Sequence, residues 1–188
     1  FTTNFKLFKH FSVSVGGQYQ ETWTGKTIKI NDFDETRGSI SRDTISGFDR
    51  FRTYNYNASI TTKVYGIVNF KPEKKIQSIR HTITPSISYS NNPSFEEYYD
   101  TYIIDANGNT AEYSRFQGGL YNQPSKAYSS SIGLTLNNTI EAKVKPKDST
   151  ETELRKINII KSLNITTAYN LAAEEFNLSP IRVSSSFD

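Results

Sequence analysis

From Tyr128 to Val144 the chain alternates without a slip. Its even positions read Tyr128, Ser130, Ile132, Leu134, Leu136, Asn138, Ile140, Ala142 and Val144, and are mostly apolar. Its odd positions read Ser129, Ser131, Gly133, Thr135, Asn137, Thr139, Glu141 and Lys143, small or polar throughout. Successive side chains on a strand point to opposite faces, so this ribbon has one greasy face and one wet face. It holds that phase for 17 residues, about three times the usual strand length. Long two-faced strands in a chain without the signature of a compact core indicate an all-β fold, part of a large antiparallel transmembrane β-barrel.

Composition has to be weighed against that pattern. Only 35% of residues are apolar and the mean hydropathy is −0.58, values that suit a soluble domain. A membrane barrel reaches the same average, because its lipid-facing residues occupy alternate positions and its interior is polar. Lys and Arg number 22 against 19 Asp and Glu, a mild balance that argues neither for nor against a polyanion. No nucleic-acid partner is expected. The absence of cysteine excludes disulfides and thiolate metal sites within this stretch. No run of about 18 apolar residues exists, which excludes a transmembrane helix. The chain opens at Phe1 and closes inside an apparent strand carrying Ile181, Val183 and Phe187. Residues 1–188 are therefore expected to be a fragment of an outer-membrane barrel domain, with no complete domain boundary inside it.

The same periodicity predicts about six long strands. The first covers Phe5 to Trp23, with Phe5, Leu7, Phe11, Val13, Val15, Tyr19 and Trp23 on one face. A polar connection, Thr24 to Arg50, leads to a second strand from Phe51 to Phe70. The short turn at 71–75 leads into a third, Ile76 to Tyr89, followed by a long connection over 91–126. Within it Asn107-Gly108 suits a two-residue type I′ turn, which would set Tyr102 opposite Tyr113 and Ile104 opposite Ala111. Strand four is the Tyr128–Val144 run. A two-residue turn at Asn137-Asn138 would pair Leu134 with Glu141 and mix the faces, so one continuous strand is expected. A charged link of about a dozen residues precedes a fifth strand, Ile157 to Leu171, and a sixth begins after Pro180.

Connection lengths alternate, and outer-membrane barrels have short periplasmic turns and longer extracellular loops. Placing the two long connections outside puts Tyr19, Tyr54 or Tyr56, Tyr89, Tyr128 and Tyr169 at the outer strand ends. Phe5, Phe11 and Phe70 fall toward the inner ends, so both interfaces gain an aromatic girdle. From Phe11 to Tyr19 is nine residues, a spanning length when tilted. Lys161, on the outward face of strand five, would then snorkel from near the inner interface. Ser12 and Gln18 on strand one and Ser129, Ser131, Thr135 and Thr139 on strand four would face the lumen. Six strands are fewer than the eight or so of a closed barrel, so either several copies close one together or this is a section of a larger one, which the chain ends favour.

Little in the chain suggests chemistry. The two histidines, His10 and His81, would have to serve any Ser–His–acid triad. His81 shares its face with Ile79, Ile83 and Ile87, and an interfacial role is expected; His10 projects to the polar face beside Phe11. Asn31, Asp32, Asp34 and Glu35, and again Asp105, Asn107 and Asn109, offer oxygen ligands, but neither set has a calcium-loop spacing. Solvated loops and turns account for them. Lys71, Lys74 and Lys75 make a basic inner turn, a solubilising feature. No Walker loop, dinucleotide fingerprint or zinc pattern occurs. No catalytic residue, metal or cofactor is expected.

Four stretches resemble the barrel region of the lipopolysaccharide-assembly outer-membrane protein, the LptD type, in its Bacteroidetes form. The first is Ile79-Arg80-His81-Thr82-Ile83-Thr84-Pro85-Ser86-Ile87-Ser88-Tyr89, with Arg80, His81 and Pro85 as its motif. Phe116-Gln117-Gly118-Gly119-Leu120-Tyr121 is the second, and the third is Ser131-Ile132-Gly133-Leu134 with Asn138 and Glu141-Ala142-Lys143. Tyr169-Asn170-Leu171-Ala172-Ala173 with Ser179-Pro180 is the fourth. The resemblance covers roughly residues 52–188. It implies a non-enzymatic translocon in the cell outer membrane that receives lipopolysaccharide from periplasmic bridge proteins and releases it among outer-membrane lipids. It also implies an LptE-type lipoprotein plug in the lumen. The family's periplasmic jelly-roll, most of its barrel strands and its inter-domain cysteines are missing here, so the sequence does not place the lateral gate. The residues alone leave three other readings open: an uptake channel or receptor barrel, an outer-membrane lipid hydrolase, and a secreted β-sandwich adhesin.

Overall fold

Alternation sustained over so many residues produces strands of unusual length. The computed structural model describes residues 1–146 and 153–187. Its strands are β1 (Thr2–Leu7), β2 (Phe11–Ile30), β3 (Arg42–Thr61), β4 (Val64–Asn69), β5 (Ile76–Asn92), β6 (Tyr99–Ile103), β7 (Thr110–Ser114), β8 (Ser129–Val144), β9 (Arg155–Asn170) and β10 (Arg182–Ser186), with one 3₁₀ turn at Glu96–Tyr98. The main sheet takes the order β1-β2-β3-β5-β8-β9-β10, with β4 also on β5. It is an up-and-down succession in chain order, and β1/β2, β4/β5, β8/β9 and β9/β10 are antiparallel. The all-β, antiparallel expectation holds.

Three expectations about element limits are corrected. Strand one is two strands: the chain reverses at Phe8 and Lys9, which have positive φ of 49° and 64°. Leu7 then lies opposite Phe11 and Phe5 opposite Val13. His10 belongs to that turn, where its carbonyl accepts a hydrogen bond from Thr62 Oγ1 at 2.9 Å. Strand two also divides, between Thr61 and Val64. The break lies opposite Pro85, whose carbonyl accepts from the Thr62 N–H at 3.2 Å but whose ring nitrogen has no proton to return. Third, most of the supposed loop from Thr24 to Arg50 is strand, since β2 runs to Ile30 and β3 starts at Arg42. Eight strands rather than six therefore make the sheet.

The long run at 129–144 is one strand through Asn137 and Asn138, as its phase requires. Thr135 faces Thr166, Asn137 faces Asn164 and Glu141 faces Asn158 across the β8–β9 ladder, while Leu134, Leu136 and Ala142 face Thr167, Ile165 and Ile157. The register shifts between Asn138 and Glu141, and the polar and apolar sides survive it. Part of the charged link before β9 lies outside the described residues.

The chain divides into two compact units, one of Phe1–Gly16, Asn57–Ser90 and Ser130–Asp188, the other of Gly17–Tyr56 and Asn91–Ser129. In the first, Ala142 is the sole buried hydrophobic residue among those described. Among the described residues no second layer packs on its sheet. The second unit holds the other five, Ile28, Phe51, Phe95, Tyr113 and Phe116. There the β6–β7 hairpin pairs Tyr102 with Ala111 and Asp100 with Tyr113, two residues off the expected register. The turn is wider than two residues because the Asp105 carboxylate accepts from the Asn107 and Asn109 backbone N–H groups (2.9 and 3.1 Å) and from Asn109 Nδ2 (2.7 Å). Gly108, at φ 79°, supplies its left-handed position. Tyr102 and Tyr113 still meet edge to face with centroids 5.7 Å apart.

Candidate functional site

In the first unit, hydroxyl and amide side chains from successive strands meet on one side of the sheet. Lys6 Nζ donates to Ser12 Oγ at 2.5 Å, Thr61 Oγ1 to Ser86 Oγ at 2.8 Å, and Ser90 and Ser131 share a bond of 3.0 Å. Thr135 sits opposite Thr166 on that face, and Thr139 Oγ1 reaches the Lys161 carbonyl at 3.4 Å. Two glycines keep the layer tight. A Cβ on Gly133 would stand 2.6 Å from Ser88 Oγ, and one on Gly16 would stand 3.0 Å from Asn57 Oδ1. Tyr65, Ile67 and Ile160 interrupt the polar face, since they lie opposite or in phase with Thr82, Arg80 and Asn158.

A charged cluster marks one end of this face. Glu141, half-buried, accepts from both Arg80 and Lys156, the latter at 2.5 Å. Two cations share one carboxylate, so the cluster carries a net positive charge. Arg80 and its neighbour His81 point to opposite faces. His81 Nε2 lies 3.1 Å from Asn138 Oδ1, and Asn138 Nδ2 donates to the Leu163 carbonyl at 3.4 Å. That exchange satisfies the polar atoms that Asn138 brings to the apolar side. Pro85, the third residue of the motif, acts on the backbone alone. The three residues of the family-like motif thus have three different tasks.

The apolar side is bare. Leu134, Ile157, Ile159, Val64, Val68, Ile87, Tyr169 and Val183 remain exposed at 38–63% of their surface. A continuous apolar face of this kind in water is an aggregation surface. It requires an apolar solvent or a partner layer.

The second unit is built on an aromatic cluster. Phe51 and Phe116 lie 4.8 Å apart, Tyr98 completes the group at 6.2 and 5.7 Å, and the Arg115 guanidinium stands 5.0 Å over Phe116 and 5.3 Å over Tyr98. Arg115 Nε donates to Asp49 at 3.1 Å, which fixes it there. Backbone bonds from Ile28 to Arg115 (2.9 Å) and from Phe33 to Ile103 (2.9 Å) dock the long connection onto β2 and the segment after it. The acids expected to be solvated serve the backbone: Asp32 accepts from the Ile103 N–H and Asp34 from the Thr36 N–H, each at 2.8 Å. Of the expected polar-face residues in this unit, Gln18 lines a cavity and Ser129 accepts from Asn92 Nδ2 at 2.9 Å.

Glu21 shows how an acid is held at this end of β2. Its carboxylate accepts from Trp23 Nε1, the Tyr19 hydroxyl and Arg50 Nη1, each at 2.8 Å. The indole bond first, then the phenol and Arg50, hold its pKa at about 2, against an ordinary 4.5. A depressed carboxylate contributes its stabilisation above the ordinary value and loses it as pH falls through the folded one. The chain's single tryptophan reports this directly. Its indole N–H resonance is expected to stay fixed from pH 7 down to about 4 and to move with a midpoint near 2. In Glu21→Gln no such transition is expected; a midpoint near 4.5 in the unmodified protein would show that the clamp is absent.

A family model described as LptD protein matches residues 1–188. No curated protein and no solved structure matches the chain.

Proposed function

The chain belongs to the LptD family, whose role is lipopolysaccharide transport and assembly at the outer membrane, and on that premise we propose that it forms part of the wall of the barrel through which lipopolysaccharide is inserted into the outer leaflet. One observation carries the reading. A sheet that is apolar on one side and hydroxylated on the other, with Ala142 as its only buried hydrophobic residue among those described, is stable where lipid covers the first side and water the second. Ser12, Gln18, Ser129, Ser131, Thr135 and Thr139 then face the lumen, where hydroxyls and amides replace water around a sugar-bearing head group. The Arg80–Glu141–Lys156 cluster offers positive charge to phosphate at the inner end.

The mechanism asked of these residues is passage, not bond-breaking. His81 is engaged with Asn138 on the apolar side and His10 sits in a turn, which favours transport over a hydrolase. An LptE-type plug would meet the polar face, and periplasmic bridge proteins would deliver the cargo below it. Depleting the full-length protein is expected to cut lipopolysaccharide at the cell surface about tenfold or more, with the lipid accumulating on the periplasmic side. Quantifying surface lipopolysaccharide by labelling intact cells checks this. Unchanged surface levels after depletion would remove the proposal.

A further inference from the structure

The second unit contains two cavities of about 640 Å³ each, and they share Thr22, Phe51 and Tyr121 in their walls. Their chemistry differs sharply. None of the 17 residues around one cavity is charged, in a chain where 22% are. It is walled by amides, with Gln18, Gln20, Asn55, Asn92, Asn122 and Gln123 prominent, and by aromatic rings. Apart from Asn92, these amides have no side-chain hydrogen bond among the described residues. The other cavity is lined by Lys26, Arg42 and Arg115 and by no acid. Arg42 gives one N–H to the Gln117 carbonyl at 3.1 Å, Arg115 is bound to Asp49, and the Lys26 ammonium has no partner among the described residues.

We propose that the two cavities form one binding site for an anionic oligosaccharide, the saccharide lying in the amide cavity and its acidic group against Lys26 and Arg42. Free amides match the paired donors and acceptors of sugar hydroxyls. Tyr121, 59% exposed and common to both walls, offers a ring face for the C–H side of a pyranose. A uniformly uncharged wall accepts a neutral ring at no desolvation cost to any ion. Lys26 and Arg42, neither of them held by an acid among the described residues, then discriminate in favour of phosphate or carboxylate. Gly118, in the wall of the basic cavity, lets the Arg42 guanidinium lie against its backbone. It sits at φ 75°, and a Cβ there would stand 2.8 Å from Arg42 Nη2. The inference goes beyond the transport reading, because it holds whether the saccharide belongs to the transported lipid or to a free acidic polysaccharide.

Full-length protein in detergent is titrated calorimetrically with three probes. They are lipid-free phosphorylated oligosaccharide released from the cell's lipopolysaccharide, an alginate hexamer, and uncharged maltohexaose. At least one anionic probe is expected to bind about tenfold tighter than maltohexaose, with the preference shrinking at high salt. Tighter binding of the first probe assigns the site to the transported lipid, and tighter binding of alginate to a free polysaccharide. Tyr121→Ala is expected to weaken binding about tenfold and Lys26→Gln about threefold at low salt. Both residues are exposed, so unchanged gel mobility of the folded form will show that the fold is intact. Equal binding of maltohexaose, no binding of any probe, or unaltered binding by both variants would overturn the proposal. Loss of surface lipopolysaccharide on depletion together with no oligosaccharide binding would remove this site and leave the transport reading standing. Binding without any effect of depletion would do the reverse.

Discussion

Leu134→Arg is expected to destabilise the sheet in a bilayer by about 2–4 kcal/mol, while Thr135→Arg, one residue along the same strand, is expected to be tolerated. The two positions lie near the middle of β8 and differ only in the face they occupy. Leu134 is apolar and 44% exposed, on the side shared with Leu136 and Ile132. Thr135 stands opposite Thr166 on the hydroxylated side. An arginine facing lipid at the bilayer midplane costs about 2–4 kcal/mol, and lumen positions are largely spared. Folding of the full-length protein into lipid vesicles, followed by urea titration, should show Leu134→Arg losing about 30- to 1,000-fold in the folded ratio. Thr135→Arg should stay within about 1 kcal/mol of the unmodified protein. Equal effects at both positions would mean that neither side meets lipid, and the reverse order would turn the barrel wall inside out.

That contrast was legible from the sequence because β-strand alternation survives everything that happens to these strands except a change of parity. The same property hid the turn at 8–10. Leu7 faces Phe11 and Phe5 faces Val13, so residues of equal parity meet across the reversal and the greasy phase runs straight through it. A two-residue turn at Asn137-Asn138 would have paired unequal parities, which is why phase could exclude it. Composition gave no help at the first turn either. Its left-handed positions are Phe8 and Lys9, residues that turn chemistry disfavours. The break at Thr62 had a local sign after all, in the missing N–H of Pro85, but the sign sits on the neighbouring strand and needs the register to be read.

The polar face was equally legible, residue by residue, since Ser131, Thr135 and Thr139 follow from phase alone. Their partners did not. Ser90 meets Ser131, and elsewhere on the face Ser86 meets Thr61 and Lys6 meets Ser12; only strand register brings each pair within hydrogen-bond distance. The extensions of β2 and β3 were missed because they lack an apolar alternation. They are ordered by main-chain partners instead, as in the bond from the Asn31 N–H to the Ser41 carbonyl at 3.0 Å. Hidden for the same reason were the cavities, whose walls join residues 18–55 to residues 92–129. The signal that could have found them is Phe116-Gln117-Gly118-Gly119, an aromatic followed by paired glycines within a polar connection.

Phe116→Ala is the second large effect expected, and it tests whether that connection is a folded body. Phe116 is 5% exposed, as is Phe51, and its ring carries contacts to Phe51, Tyr98 and the Arg115 guanidinium. Truncating a buried phenylalanine costs about 3–5 kcal/mol, because the transfer energy is lost and a cavity remains. Here the loss should fall on the second unit, whose other buried hydrophobic residues are few. Amide hydrogen exchange of the full-length protein in micelles reads this locally, with the β8–β9 ladder as internal reference. Protection across β6, β7 and residues 114–117 is expected to fall about 150- to 4,000-fold, and protease cleavage should begin near Leu120, already 98% exposed. Phe116→Leu keeps most of the volume and should cost less than about 1.5 kcal/mol. If Phe116→Ala leaves protection in this segment unchanged, the aromatic cluster does not hold it, and the cavity walls it supports would have to be ordered by the backbone bonds alone.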